Sequence, residues 1–245
     1  MKLAIMQPYF FPYLGYFQLM NYVDEWIIFD HIKFIDKGWV NRNRILHPNP
    51  EKIWQFISVP LAKRRQFDNI NELSIAQNHH WVDSIMGKLT TYKKAPHYNE
   101  TIELIHECLS GSPINLSMML KKTLQQTAQY LGIQTTITTQ SHQNWELPEI
   151  THPGQWALEI SKLKGAKTYI NPHGGSEIFQ QDEFDNAKIE LQFLKPILQP
   201  YPQYRGNFTK GLSIIDVMMW NDKHSIQRML KQDFLLLSKQ QAENE

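Results

Sequence analysis

Residues 1–30 read MKLAIMQPYFFPYLGYFQLMNYVDEWIIFD. The apolar run at residues 3–6 is too short for a useful helix and predicts a buried first strand. The Gln-Pro pair that follows ends this strand, because proline cannot donate to a sheet ladder. Apolar residues at helical spacing after Gly15 predict a helix, and the run at residues 26–29 predicts a second strand. Together these elements form a βαβ unit with parallel strands and a right-handed crossover.

The ends of these two predicted strands are candidate binding positions, because parallel sheets bind ligands outside the carboxyl ends of their strands. Gln7 and Asp30 occupy these ends, and we expect them to share one mouth that Lys33 also reaches. Asp30 and Lys33 are therefore candidate catalytic residues. The loop from Tyr9 to Gly15 should cover this mouth. Its aromatic rings suit stacking on a flat ring such as a nucleobase, or else they form a hydrophobic lid over the core.

A β-hairpin is predicted over residues 42–59, with a turn at the Pro-Asn-Pro sequence in its middle. Arg42 and Arg44 lie two apart on its first strand, so their side chains share a face. Paired guanidinium groups suit a phosphate or carboxylate, although a solvated strand face has the same pattern. Asn41 and Asn43 alternate with the arginines, and we count them with the binding candidates.

A third candidate segment follows a strand predicted at residues 167–171, which ends at Asn171. Gly174 and Gly175 leave their backbone N–H groups open and free in φ, so they suit an anion. His173 is a candidate general acid or base because histidine titrates near neutral pH. A histidine between proline and glycine can equally be a hydrogen-bonding residue of the loop.

The remaining pattern predicts one α/β domain over residues 1–245 with a helical insert at 78–131. Three helices are expected in the insert, the first of them from Asn78 to Lys94. We also predict a short strand within 69–76, a helix at 224–237 and a frayed tail at 239–245. Ser213 should cap a helix whose first turn holds Asp216, which suits the helix dipole or a contact to substrate.

The composition limits the classes of function. The 245 residues carry a net charge of +1, which gives no bulk electrostatic reason to bind nucleic acid or a membrane. A single cysteine, Cys108, excludes internal disulfides, and no signal peptide or membrane span is evident, so we expect a cytoplasmic protein. Walker A, GxGxxG, GxSxG and metal-ligand spacings are absent from the sequence, and no metal site is predicted.

Five segments together resemble the WbqC-like family. They are MQPYFFPYLGYFQL (6–19), KGWVNRNRIL (37–46), YKKAP (92–96), YIN with HGG (169–175) and LSIID (212–216). The resemblance spans nearly the whole chain, and it implies a role in the assembly of O-antigen or other surface polysaccharides. Transfer of glycine to an amino sugar is the activity proposed for that family.

A second resemblance concerns the start of the first helix. Residues 12–16 resemble the HIGH-motif region of nucleotidyltransferases, class I synthetases and pantothenate synthetase. This likeness implies a Rossmann-like parallel sheet of the nucleotidyltransferase or HUP type, and ATP as a possible cofactor. The two histidines that bind ATP phosphates in those folds are replaced by Tyr13 and Tyr16, which carry no positive charge near neutral pH. Either ATP is not used, or arginines elsewhere in the chain bind its phosphates.

The function expected from the sequence is a transferase that joins glycine or another acyl or aminoacyl group to the amine of a nucleotide-linked amino sugar. In this hypothesis Arg42 and Arg44 hold phosphates, and Asp30 or His173 accepts the proton. The donor is either free glycine with ATP, or an aminoacyl or acyl group on a carrier such as transfer RNA or coenzyme A. A glycosyltransferase and a non-catalytic sugar-nucleotide-binding protein are the alternatives.

Overall fold

A six-stranded, mostly parallel sheet forms the centre of the protein. The computed structural model describes residues 1–49, 51–77, 80–111, 113–204 and 207–244. Two further strands form a separate hairpin, and the order within the large sheet is β5-β2-β1-β6-β7-β8. The strands are β1 (Lys2–Met6), β2 (Glu25–Ile28), β3 (Arg42–Leu46), β4 (Trp54–Ser58), β5 (Thr136–Thr139), β6 (Thr168–Pro172), β7 (Glu190–Pro196) and β8 (Phe234–Leu237).

Helices cover both faces of this sheet, so the fold is Rossmann-like, as the sequence predicted. Along β1, Leu3 and Ile5 pack on one face and Ala4 on the other, which is the period of two that a doubly covered strand requires. The helices are α1 (Leu14–Tyr22), α2 (Trp81–Leu89), α3 (Tyr98–Leu109), α4 (Leu116–Tyr130), α5 (Gln155–Leu163), α6 (Gln181–Asn186), α7 (Ile214–Trp220), α8 (Lys223–Gln232) and α9 (Lys239–Glu243).

The N-terminal βαβ unit is present, with β1 and β2 parallel and paired from Leu3 opposite Glu25 to Met6 opposite Ile28. From β1 the chain builds the sheet outward through β2 to β5, and it then returns to place β6 on the other side of β1. The connections therefore leave β1 and β6 in opposite directions. The crevice at their carboxyl ends is a topological switch point, where open α/β sheets bind ligands.

The predicted hairpin and the three helices of the insert all lie in the long connection between β2 and β5. β3 and β4 pair antiparallel, with Arg44 opposite Phe56. Helix α4 begins at the Asn115 cap, whose side chain accepts a hydrogen bond from the Met118 N–H. The apolar residues of these helices share one core with α1 and the adjoining sheet face.

Several local predictions were wrong. Residues 70–72 form a 3-10 turn and only isolated bridges follow, where we predicted a strand. Helix α2 begins at Trp81 and ends at Leu89, while its predicted cap, Asn78, lies outside the described residues. The helix predicted at 224–237 stops at Gln232, because residues 234–237 pair with the free edge of β7 as β8. The predicted frayed tail is helix α9, which a Ser238–Gln241 capping box begins.

Candidate functional site

A cavity of about 620 Å³ opens at the switch point. We call it the switch-point cavity. Its wall includes Met6 and Gln7 at the end of β1, Phe29 after β2, and Asn171 near the end of β6. Its other walls come from the segment that leads into α5 and from the turn after β6. Those lining residues are Ile150, Thr151, His152, Pro153, Trp156, Gly174, Gly175, Ile178 and Phe179.

An imidazole held by a carboxylate lies in this wall. His152 Nε2 is 3.0 Å from both carboxylate oxygens of Glu183, which belongs to α6. The two side chains are only 20% and 27% exposed. A carboxylate at Nε2 stabilises the tautomer with its proton there, so Nδ1 is left to accept a proton. A histidine oriented by a carboxylate in this way is the arrangement that general-base chemistry uses.

Close backbone contact positions the histidine. Gly154 precedes α5, and a β-carbon at this position would lie 2.2 Å from the Ile178 carbonyl oxygen. Only glycine therefore lets the segment before α5 pack directly on the turn after β6. Thr151 donates through both its N–H and its hydroxyl to the Gln155 side chain, which fixes the same segment from the helix side.

The end of β6 presents an amide to the cavity. Asn171 is buried, its Oδ1 accepts from the Tyr169 hydroxyl, and its Nδ2 donates to the Pro172 carbonyl. A β-carbon on Gly175 would come within 2.6 Å of Asn171 Nδ2, whereas one on Gly174 would meet nothing within 4 Å. Neither glycine has a positive φ. The structure thus makes no use of the conformational freedom in φ that we expected of these glycines. Glycine at position 175 instead leaves room for the Asn171 side chain.

A second cavity of about 350 Å³ adjoins the first, and we call it the aromatic chamber. Met6, Tyr9 and Pro172 line both cavities, so the two spaces meet at Tyr9. The rest of its wall is formed by Pro12, Tyr13, Tyr16, Trp39, Asn43, Arg44, Leu198 and Gly211. The aromatic loop after β1 thus separates two compartments, where the sequence had suggested a cover over one mouth.

Hydrogen bonds from distant residues fix this loop. Asn43 Nδ2 donates to the carbonyl groups of Phe10 and Phe11, and the Ser213 hydroxyl donates to Phe11 as well. These bonds hold Phe11 at a φ of +40°, a backbone conformation that favours glycine. A β-carbon on Gly15 would lie 2.5 Å from the Tyr13 ring, so glycine there lets that ring lie against the start of α1.

The chain is similar to one defined family over most of its length. The model of the WbqC-like protein family matches residues 7–228. The chain belongs to this family. It is also 25% identical over 220 residues to the uncharacterized protein Rv1507c of Mycobacterium tuberculosis, a match that covers 89% of this chain and 92% of the relative. No solved structure matches the chain.

Some residues predicted for the site come together in this WbqC-like chain. Gln7, Tyr9, Asn171, Gly174 and Gly175 line the switch-point cavity. The aromatic chamber receives Tyr9 again, together with Tyr13, Tyr16 and Arg44. The Tyr16 hydroxyl donates to the Gln7 carbonyl at 3.0 Å, so this tyrosine also ties α1 to the end of β1.

The side chains of the two arginines of β3 lie in different environments. Arg44 lines the aromatic chamber, and Arg42 lines neither cavity. Arg42 donates to the carbonyl groups of Lys37 and Gly38, and its guanidinium carbon lies 4.2 Å from the centre of the Phe56 ring. A phosphate-binding fork made of both arginines does not form. Asn41 also lies outside both cavities, because its side chain donates to the Val59 carbonyl.

The three predicted catalytic residues are absent from both cavity walls. Asp30 is buried, and its carboxylate accepts from the Ser117 hydroxyl and from the N–H and hydroxyl of Ser141. This occupied carboxylate joins α4 to the turn after β5, which is a structural role. Lys33 is exposed, with Nζ 4.3 Å from the centre of the Phe67 ring. His173 begins the 3-10 turn after β6, and its Nδ1 is buried without a hydrogen-bond partner among the described residues.

Asp216 in the first turn of α7 is a buried acceptor. It accepts from the hydroxyl groups of Tyr92 and Tyr201 and from the Gln203 amide. Burial raises the pKa of Asp216 to about 6, although the three donors lower it. This carboxylate therefore ties the segment before α7 to the region that follows α2.

Two further features are absent from the described ranges. Within them, no cluster of three or more His, Cys, Asp or Glu side chains is placed to hold a metal ion. No helix among the described residues has the length and hydropathy to cross a membrane.

Three residues around the switch-point cavity were not predicted from the sequence, and they are His152, Glu183 and Trp156. The Thr-His-Pro-Gly sequence at 151–154, directly before α5, was the available signal for the histidine. Nothing in the sequence connects it with Glu183, which lies on a short helix after β6. Only the fold brings these two segments together.

Proposed function

We propose that this protein is a transferase of surface-polysaccharide biosynthesis, which attaches glycine or another acyl or aminoacyl group to the amine of a nucleotide-linked amino sugar. The observation that carries the proposal is His152, which lines a cavity at a topological switch point and is held there by the Glu183 carboxylate. The chain belongs to the WbqC-like family, and the role in surface-polysaccharide assembly that this resemblance implies is the basis for the class of substrate.

The reaction needs a base, because an amino sugar carries an ammonium group near neutral pH and an ammonium cannot attack a carbonyl. His152 Nδ1 takes this proton, and Glu183 stabilises the imidazolium that forms. The freed amine then attacks the acyl carbonyl carbon. A carbon–nitrogen bond forms, and the bond from that carbon to the oxygen or sulfur of the carrier breaks, with the electron pair leaving on the carrier. The second proton of the attacking nitrogen passes to this leaving oxygen or sulfur, and the imidazolium returns its proton to solvent.

The switch-point cavity suits a sugar ring. Trp156 and Phe29 contribute aromatic walls, and their ring centres lie 5.6 Å apart. Asn171 and the backbone near Gly174 add polar groups beside these rings. Apolar rings with a few fixed polar groups are the usual composition of a small-molecule site.

Two donors are compatible with this chemistry. Free glycine requires activation by ATP, with an acyl phosphate or acyl adenylate as the species attacked. An aminoacyl or acyl group that already sits on an ester or thioester carrier needs no ATP. The replacement of both HIGH histidines by Tyr13 and Tyr16 favours the carrier-bound donor, since neither tyrosine supplies a charge to ATP phosphates.

The proposal is tested by incubating the purified protein with a nucleotide-linked 4-amino sugar and glycine, with and without ATP, or with glycyl transfer RNA or an acyl coenzyme A. Mass spectrometry should detect the sugar nucleotide enlarged by one glycyl or acyl group in at least one of these mixtures. Tight binding of the sugar nucleotide without product in any mixture would contradict transfer and favour a non-catalytic binding protein. Release of free nucleotide with transfer of the sugar would favour a glycosyltransferase.

A further inference from the structure

The Arg44 side chain is held in one orientation without a negative partner. Its guanidinium carbon lies 5.1 Å from the centre of the Trp39 ring and 5.3 Å from that of Trp54, so the two rings flank it. One donor, Nη2, reaches the Gly211 carbonyl at 3.3 Å. Among the described residues, no carboxylate lies within ion-pair distance of this guanidinium. Stacking on aromatic rings leaves the edge donors of an arginine available for an anion.

One N–H group of the Arg44 guanidinium is buried without a hydrogen-bond acceptor in the described ranges, which costs free energy of folding. Arg44 Nε is buried and has no hydrogen-bond partner in the described part of the chain. A buried donor without an acceptor costs about 1–3 kcal/mol, and more when the group is charged. Native proteins rarely keep such a group unless a ligand or ordered water satisfies it. Arg44 lines the aromatic chamber, so an anion in that chamber can reach the guanidinium, and a small turn of the side chain would bring Nε to the same anion.

The other walls of the chamber suit a flat ring. Four aromatic residues surround the space, and they are Tyr9, Tyr13, Tyr16 and Trp39. Burial raises the pKa of Tyr9 and Tyr13, so their hydroxyls stay protonated as donors at neutral pH. A volume of about 350 Å³ lies at the lower end of the range for small-molecule sites.

We infer that the aromatic chamber binds the phosphate-bearing end of a nucleotide, with Arg44 on the phosphates and the rings of the chamber against the base. The identity of this nucleotide rests on the proposed function. The new content of the inference is the position of each part of the substrate in the two cavities. The chamber meets the switch-point cavity at Tyr9. A nucleotide-linked amino sugar can therefore extend past Tyr9 and place its amine beside His152. The nucleotide of an ATP donor has the same chemistry and is the competing source.

The chain supplies a matched control for Arg44. Arg42 is an arginine on the same strand and face that also lies over an aromatic ring, but it lines neither cavity. The experiment measures dissociation constants by titration calorimetry for wild type, Arg44→Gln and Arg42→Gln. The probes are uridine diphosphate, thymidine diphosphate, ATP and inorganic pyrophosphate. A thermal melt of each variant, together with Arg44→Lys, which keeps the charge, separates lost binding from lost folding.

We expect at least one nucleoside phosphate to bind wild type, with pyrophosphate competing for the same site. Arg44→Gln should weaken this binding about tenfold or more, because charged hydrogen bonds to phosphate are lost. Arg42→Gln should change it less than about twofold, since Arg42 lines neither cavity and makes its hydrogen bonds to backbone carbonyls outside them. Tighter binding of the diphosphates assigns the chamber to the sugar nucleotide, and tighter binding of ATP assigns it to the donor.

Equal affinities of wild type and a folded Arg44→Gln would overturn the inference, as would equal losses in both variants or no binding of any probe at millimolar concentration. These results are distinct from a failure of the proposed function. A protein without transferase activity can still bind nucleotides through Arg44, and an active transferase with an unchanged Arg44→Gln affinity would refute only the chamber.

Discussion

The residues near the end of β6 show how much of the candidate site could be predicted from the sequence. Asn171, Gly174 and Gly175 were predicted from their position after a strand, and the structure places all three in the cavity wall. Their physical roles were less predictable. Gly175 is required because Asn171 Nδ2 occupies the space of a β-carbon, a contact that no sequence pattern reveals. His173, between proline and these glycines, was the natural candidate for a base, but it lies outside the wall.

Substitution of Gly175 tests this packing. Gly175→Ala should displace the Asn171 side chain and lower kcat/KM of the transfer reaction by about tenfold to a hundredfold, because small misplacements near a reacting group are costly. Gly87→Ala is the control, since Gly87 lies in α2 outside both cavities and its methyl group would meet no atom within 4 Å, and it should stay close to wild type. Steady-state kinetics of the two variants make the comparison. Equal rates for both would show that the position of Asn171 does not matter.

At the scale of elements, helices and strands with strong local periodicity were predicted correctly, and those with weak periodicity were not. The βαβ unit, the hairpin, α3 and α4 were all anticipated, because each has a clear period or a clear cap. The wrong assignments lie where pairing with a distant strand determines the secondary structure. Residues 234–237 carry an apolar run that fits a helix or a strand, and the free edge of β7 selects the strand. Alternation along β3 correctly placed Arg42 and Arg44 on one face, yet only Arg44 reaches a cavity.

At the scale of the whole molecule, the site depends on sheet topology. The placement of β6 beside β1 brings segments near residues 7, 152, 171 and 183 around one crevice. The switch point was not predictable, because the order of strands was not deducible from the sequence. The same long-range assembly buries Asp216. Its three hydrogen-bond donors are Tyr92, which follows α2, and Tyr201 and Gln203, which precede α7.

Global stability should depend on pH through Asp216. Burial raises its pKa from 3.8 to about 6, so the folded state holds the proton more tightly than the unfolded state. Stability therefore falls as the pH rises between about 4 and 6 and levels off above that window, a change of roughly 2–3 kcal/mol for this group. Asp216→Asn cannot ionise and should lack this component. Unfolding free energies from urea titrations at pH 4, 5, 6 and 7 give the difference between the two proteins, and a constant difference would contradict the assignment.

Transfer by the His152–Glu183 pair is most directly tested by single-turnover rates of product formation, measured against pH for wild type, His152→Gln and His173→Gln. Each protein is incubated with the nucleotide-linked amino sugar and the donor that gives product with wild type. We predict that His152→Gln lowers the rate about a hundredfold or more and removes the rise in rate with pH that a general base produces. His173→Gln should retain both the rate and the profile. A His152→Gln protein that is folded and as fast as wild type would contradict the site described here.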